Sequence, residues 1–293
     1  MIDIITIVFR QELYYLKIQA KSIEQYIDSD KIGKIFVVVN DESSVCALVD
    51  TNWWGENRNK IEVLHRDHFG NASFLNGWDS QQYYKLAAGS ISQCEWSMVL
   101  DAKTWFVQNL NFNKLFAEDG RVKLNYFPVM EVFYPAKHFV ENFFNIKCEN
   151  IVGPGGVPFF FKTEELTLLN DYLSKQNTNL FDFFTKNVPW PIHLTEFILY
   201  SGWLIYRHGT LDTLYHTRQQ EYVITNIADF EKYEFDSIFP RMQQPDSLTA
   251  SIHRSVYPVL TDDQLLQWVN FLHSKNLIDD PIETFQLLNT NKC

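Results

Sequence analysis

Cysteine is scarce and scattered. Cys46, Cys94, Cys148 and Cys293 are four in 293 residues. No C-x-x-C occurs, so neither a zinc site nor a disulfide framework is indicated, and a reducing compartment suits such a chain. No run of about 18 apolar residues exists, which leaves nothing to span a bilayer. The start, Met1-Ile2-Asp3-Ile4-Ile5, lacks the basic region and small-residue cleavage site of a secretory leader, and a cytoplasmic location is expected. Basic residues are in deficit: 25 Lys and Arg against 36 Asp and Glu give a net charge of −11. Without a basic stripe, nucleic acid is excluded as a general partner, and anionic lipid is disfavoured. The motifs G-x-S-x-G, G-x-x-x-x-G-K-S/T and G-x-G-x-x-G are all missing, which removes the hydrolase elbow, the P-loop and the dinucleotide fingerprint.

What is present reads as globular. Hydrophobic residues make up 46 % and charged residues 21 %, an ordinary balance for a packed domain. Aromatics reach 16 %, with 24 Phe, 14 Tyr and 8 Trp, enough for a Phe-rich core or for surfaces on which sugars or bases stack. No repeat, low-complexity tract or linker divides the chain. One α/β domain over residues 1–293 is expected.

Residues 2–9, IDIITIVF, form a β-branched run that predicts a buried strand. Leu13, Leu16, Ala20, Ile23 and Ile27 recur at helical spacing on one face. Lys34–Val39 predicts a second strand ending at Asn40-Asp41, and residues 60–64 a third. A β-α-β unit within about 40 residues argues for a parallel sheet. After a Gly/Asn loop, a helix is expected from Asp79 to Cys94, then a short apolar strand from Trp96 to Asp101. In open α/β sheets ligands sit beyond the carboxyl ends of the strands, so Asp41 and Asp101 both stand where a ligand would. Further on, 122–133 is read as holding a strand and 134–144 as helical. The densest Gly/Pro cluster is 153–158, with helices near Thr163 and over 194–207. Thr261-Asp262-Asp263-Gln264 is a capping box opening a helix to Lys275.

Two segments carry a resemblance: Gln81-Gln82-Tyr83-Tyr84-Lys85-Leu86, and Val99-Leu100-Asp101-Ala102-Lys103-Thr104-Trp105-Phe106. A Gln/Lys helix followed by a strand ending in Asp-x-x-x-x-Phe resembles GT-A glycosyltransferases, in which the strand ends in an Asp-x-Asp motif. A poorly characterised bacterial and viral GT-A-like group is similar also at Gly155-Gly156-Val157-Pro158 through Thr163-Glu164, and at Thr195-Glu196-Phe197-Ile198-Leu199-Tyr200. The resemblance implies a Rossmann-like, mostly parallel sheet flanked by helices. Residues 1–110 would form the nucleotide-sugar half and 111–293 a mixed acceptor-side half. The implied activity is transfer of a sugar from a nucleotide-sugar donor to a glycan or glycoconjugate, with inverting chemistry expected.

The chain departs from the motif at its third position, where Lys103 replaces an acidic residue. Carboxylates suit Mg²⁺ and Mn²⁺; a charged lysine cannot ligate them, but it can meet a diphosphate as a point charge. No metal ligands and no required cofactor are therefore expected, with Mn²⁺ or Mg²⁺ disfavoured.

The resemblance assigns Asp101, a catalytic candidate with Glu196, to donor ribose or sugar hydroxyls, Asp41 to the base and ribose, and Gln81, Gln82 and Lys85 to base and phosphate. Asp101 also reads as a turn cap, Asp41 as part of an Asn-Asp turn, and Gln81 with Lys85 as an exposed helix face. Glu196 is the candidate general base for the acceptor hydroxyl; in a helix's first turn it also simply suits the dipole. Glu164 and Asp79 are its rivals. His253 and Arg254 are candidates for the donor phosphates, with His216 and Arg218 as runners-up. Trp105, Trp190 and Trp203 are candidates for sugar stacking. The alternatives are a non-catalytic sugar-nucleotide or glycan-binding protein of the same fold, and a nucleotidyltransferase, against which Lys103 argues.

Overall fold

A computed structural model describes residues 1–293 except 73–74, 76, 148–152, 155–156, 189–191, 228–231 and 291–293. The first strand, β1 (Ile2–Val8), is buried at every position, as its β-branched run requires. Helix α1 (Leu13–Tyr26) follows and buries Leu16, Ala20 and Ile23 in the core that β1 shares. Strands β2 (Ile32–Val39) and β3 (Ile61–His65) extend the sheet outward from β1. Helix α2 (Gly77–Ser90) then crosses back, and β4 (Trp96–Asp101) pairs with β1 on its other side.

Parallel pairing joins β1 to β4 in the order β3-β2-β1-β4. The chain thus winds one way from β1 to β3 and the other way to β4. The reversal leaves a crevice beyond the carboxyl ends of β1 and β4, where Val8 and Asp101 end their strands. The short β5 (Thr104–Phe106) leaves this point at once. After α3 (Tyr134–Phe144), β6 (Phe159–Lys162) closes the far edge antiparallel to β4, Met98 opposite Phe160. Its three phenylalanines are fully buried.

Helices α4 (Thr163–Lys175) and α5 (Glu196–His208) cover α2 and β6. A second, smaller sheet sets β7 (Val223–Ile227) parallel to β8 (Ser247–Ile252) and β8 antiparallel to β5. Ser251 lies opposite Thr104, so the chain leaves β8 at His253-Arg254 beside the end of β4. Helices α6 (Asp262–Ser274) and α7 (Pro281–Thr290) pack on this sheet around Trp268. The capping box at Thr261 and Gln264 is formed. No described helix is long and apolar enough to cross a membrane.

Some expectations shift. Helix α2 ends at Ser90, not Cys94. The hydroxyl of Ser92 and the backbone N–H groups of Gln93 and Cys94 donate instead to Asp3 Oδ2, at 2.7, 2.9 and 3.2 Å; that carboxylate competes successfully for groups the helix would have used. Residues 122–133 hold two two-residue strands, Val122–Lys123 and Tyr126–Phe127. Trp105 and Trp203 are core, at 0 % and 3 % exposure, and stack on no ligand surface. Trp190, Gly155 and Gly156 lie outside the described residues.

Candidate functional site

A cavity of about 330 Å³ occupies the crevice, within the size range of small-ligand sites. Its wall is drawn from three places: the turn after β1 (Phe9, Gln11, Glu12), the start of α2 (Gly77, Trp78, Gln81, Gln82, Lys85), and the ends of β4 and β8 (Asp101, Lys103, His253, Arg254). Seven of the candidates named from sequence, Gln81, Gln82, Lys85, Asp101, Lys103, His253 and Arg254, meet here.

Asp101 is gripped from three sides. Lys85 Nζ lies 2.9 Å from its Oδ1, and Lys103 Nζ lies 3.2 Å from its Oδ2. From α1, the Gln19 side chain donates to the Asp101 backbone carbonyl at 2.6 Å and to that of Thr104 at 3.1 Å. Burial alone would raise the Asp101 pKa, but the ammonium groups of Lys103 and Lys85 outweigh it and hold the carboxyl far below the usual range. It is therefore ionised throughout the physiological range.

Lys85 is itself buried and bridges Asp101 to Glu196 Oε1, again at 2.9 Å. Burial would strip its proton, but the two carboxylates reverse the effect and raise its pKa. Its ammonium also sits 5.7 Å over the Phe197 ring. Glu196 is the first residue of α5, capped by Thr195, whose hydroxyl accepts from Ile198 N at 3.0 Å. It has no exposed surface and does not line the cavity. Burial raises its pKa against the pull of Lys85, and its Oε2 is buried without a hydrogen bond among the described residues. The sequence assigned Glu196 to the acceptor hydroxyl; the structure sets it behind Lys85.

His253 donates its backbone N–H to Ile227 O at 2.8 Å, and its Nδ1 pairs with the Ser255 hydroxyl. Burial, then the nearby charges of Lys103 and Arg254, pushes its pKa down to about 4, so the ring is neutral at pH 7. Asp41 stands apart from the cavity. Its Oδ2 accepts from Arg10 N at 2.9 Å and its Oδ1 from Glu42 N at 2.8 Å, and the Arg10 backbone bond leads in lowering its pKa. It is the turn former that an Asn-Asp pair suggests. The runners-up His216 and Arg218 line a different surface hollow with Arg121 and Asp212.

Glu12, Gln19 and Trp78 were not singled out by sequence. Glu12 accepts from Phe9 N at 3.3 Å, and burial raises its pKa against the charge of Lys103. Gln19 did leave a signal: a polar residue one step before Ala20, at the margin of the apolar face of α1.

This fold is that of the GT-A glycosyltransferases. A structure of the galactosyltransferase LgtC in complex with donor and acceptor sugar analogs superposes with a TM-score of 0.51 and 12 % identity, over 97 % of this chain and 100 % of that one. An active-site mutant of LgtC gives 0.51 and 14 %, over 86 % and 87 %. No curated protein matches the sequence. The chain belongs to a family of unknown function, DUF6492, whose model matches residues 4–238.

Proposed function

We propose that this protein is a glycosyltransferase that binds a nucleotide-sugar in the crevice and passes the sugar to a glycan or glycoconjugate without a divalent cation. One observation carries the reading: the strand-end carboxylate of Asp101, at the reversal of the sheet, has both oxygens paired with lysine ammonium groups. A cation approaching it would meet the positive charge of both ammonium groups. The residues present do not fit a metal, and they do fit an anionic donor. Lys103 has N–H groups beyond the one facing Asp101, and Arg254 stands beside it on the wall.

The chemistry follows from charge. As the acceptor oxygen bonds to the anomeric carbon, the bond to the diphosphate breaks and its electron pair remains on the phosphate oxygen. Fixed cations aimed at that oxygen lower the barrier without reorganising. Lys103 and Arg254 take this part. Neutral His253 adds a hydrogen bond rather than a charge. Asp101 accepts from a donor hydroxyl while holding Lys103 in place. Glu196, in this reading, anchors Lys85 instead of acting as base. The turnover is inverting, in the cytoplasmic compartment that the composition suits.

Thermal-shift measurements with UDP, GDP, CMP and their sugars test this, each with EDTA and with Mn²⁺. A rise in Tm with one nucleotide, unchanged by EDTA, is expected. Stabilisation that appears only with Mn²⁺ would defeat metal independence. A flat panel would favour a non-catalytic protein of this fold.

A further inference from the structure

With Glu196 behind Lys85, the transfer lacks a base to take the proton of the attacking hydroxyl. The wall of the cavity narrows the choice. Its amides, ammonium groups and guanidinium offer no basic lone pair. Both oxygens of Asp101 face ammonium groups, which hold its carboxyl far below the usual range. His253 keeps its Nδ1 on Ser255, and its pKa is down to about 4. Glu12 remains.

Glu12 lines the crevice from the single turn Arg10–Glu12 that follows β1. It is half-buried. Its Oε2 accepts from Phe9 N at 3.3 Å, which ties the carboxylate to the turn. Among the described residues its Oε1 accepts no hydrogen bond, and the side chain forms no ion pair. The charged and titratable groups around it are Lys103 and Asp101 at the end of β4, Arg254 after β8, and Tyr15 on α1. Tyr15 keeps its proton, because burial lifts its pKa to about 12. At Glu12 burial outweighs the two cations and lifts the pKa above the ordinary carboxylate value; at Asp101 the cations win. Two carboxylates of one cavity are thus driven apart, the arrangement that separates a base from a charge holder.

We propose that Glu12 is the general base of the transfer, with Oε1 receiving the proton of the attacking hydroxyl. The assignment rests on the transferase reading. In the reaction the acceptor O–H bond breaks, and its proton passes to Glu12. The oxygen forms the new bond to the anomeric carbon, and the leaving diphosphate takes the electron pair of the broken C–O bond. Lys103 and Arg254 meet that charge, and Glu12 returns its proton to solvent. Donor binding also strengthens the base. A diphosphate on Lys103 and Arg254 cancels the positive charge that opposes protonation of Glu12, so its proton affinity is higher in the complex than in the free enzyme.

Water can stand in for the acceptor, so donor hydrolysis reads the base without a glycan. Release of nucleotide is followed from UDP-glucose, UDP-galactose and GDP-mannose in EDTA. The wild type should release it from at least one. Its kcat should fall on the acid side, at a higher pH than kcat/KM does, since the first reports the complex and the second the free enzyme. Glu12→Gln keeps an oxygen for Phe9 N and loses the basic site. Its kcat should fall about 100-fold or more, the scale of a lost general base, and the acid limb should vanish. Its Kd for the matching UDP or GDP should stay within about three-fold. Glu12→Ala should regain nucleotide release with azide, an anion that attacks the carbon with no proton to lose. A Glu12→Gln kcat within about three-fold of wild type, or a loss confined to KM, would overturn the base. Nucleotide binding with no release from any of the three sugars would overturn it too. If no nucleotide binds the wild type, the transferase reading falls and takes the base with it; a bound nucleotide with Glu12→Gln turnover intact removes the base alone.

Discussion

Gln19 and Asp101 are joined through the backbone: the Gln19 amide donates to the Asp101 carbonyl at 2.6 Å, while its own oxygen accepts from Thr6 Oγ1 at 2.7 Å. One buried side chain on α1 thus aligns β1 with the end of β4. Gln19→Ala takes the acceptor from the buried Thr6 hydroxyl and a donor from each of two strand-end carbonyls. A loss of about 1–3 kcal/mol in unfolding free energy is expected, the cost of leaving a buried polar group without its partner. Urea titration measures it; a loss under about 0.5 kcal/mol would show that this tie is dispensable.

Lys85 offers a sharper comparison. Lys85→Met strands Glu196 in the interior and leaves Asp101 with Lys103 alone, and removing one partner of a buried ion pair costs about 3–5 kcal/mol. Glu196→Gln keeps an oxygen for the ammonium, so its cost should be smaller. The double variant Lys85→Met/Glu196→Leu should be more stable than Lys85→Met alone. Denaturant midpoints give the order, and an inverted order would contradict the bridging role of the ammonium.

Lys103 tests the charge carried to the donor. Its ion pair is partly solvated, so Lys103→Ala should change stability by no more than about 1 kcal/mol. Affinity for the stabilising nucleoside diphosphate should fall about ten-fold, or ~1.4 kcal/mol. Lys103→Asp rebuilds an Asp-x-Asp pair and should make binding respond to Mn²⁺. Calorimetry in EDTA and in Mn²⁺ separates the cases, and equal affinities for Lys103→Ala and wild type would remove Lys103 from the donor site.

His253 predicts a pH effect of defined sign. Its folded pKa, about 4, lies below the usual histidine value because burial, Lys103 and Arg254 disfavour the imidazolium, with Asp101 opposing. The unfolded chain therefore takes up a proton that the folded chain refuses. The stability from this group is complete above the unfolded pKa and drains away as pH falls toward 4. Full loss amounts to roughly 3 kcal/mol at 1.36 kcal/mol per unit. The Tm of wild type minus that of His253→Gln should fall between pH 7.5 and pH 4.5; a pH-independent difference would contradict the burial of a neutral ring.

The first half of the fold was legible because buried parallel strands are written as continuous apolar runs. Ile2–Val8 and Trp96–Asp101 come within a residue of their expected bounds. Lys103 and Asp101 could be read as neighbours because a single residue, Ala102, separates them. Gln19 and Glu12 could not be read this way. A glutamine on α1 acquires its meaning from a carbonyl 82 residues away, and no local pattern encodes that distance. Glu196 shows the same limit from the other side: a carboxylate at a helix start was visible, but its full burial behind Lys85 is a property of how α5 meets α2. Asp3 is the plainest case. It ends α2 early from the far end of the sheet, and helical periodicity through Cys94 gave no warning.

One ammonium joins residues 85, 101 and 196, and this sets how the molecule can be divided. A fragment ending near residue 110 would contain β1 to β5 and most of the cavity wall, yet it would lack the second counter-charge of Lys85. It would also bare the edge of β4, whose pairing with Phe159–Lys162 would be lost. The donor-side half is therefore no minimal binding module. Cutting the gene at that boundary should yield an aggregating piece, and fusions or split reporters should keep everything through α5 in one polypeptide.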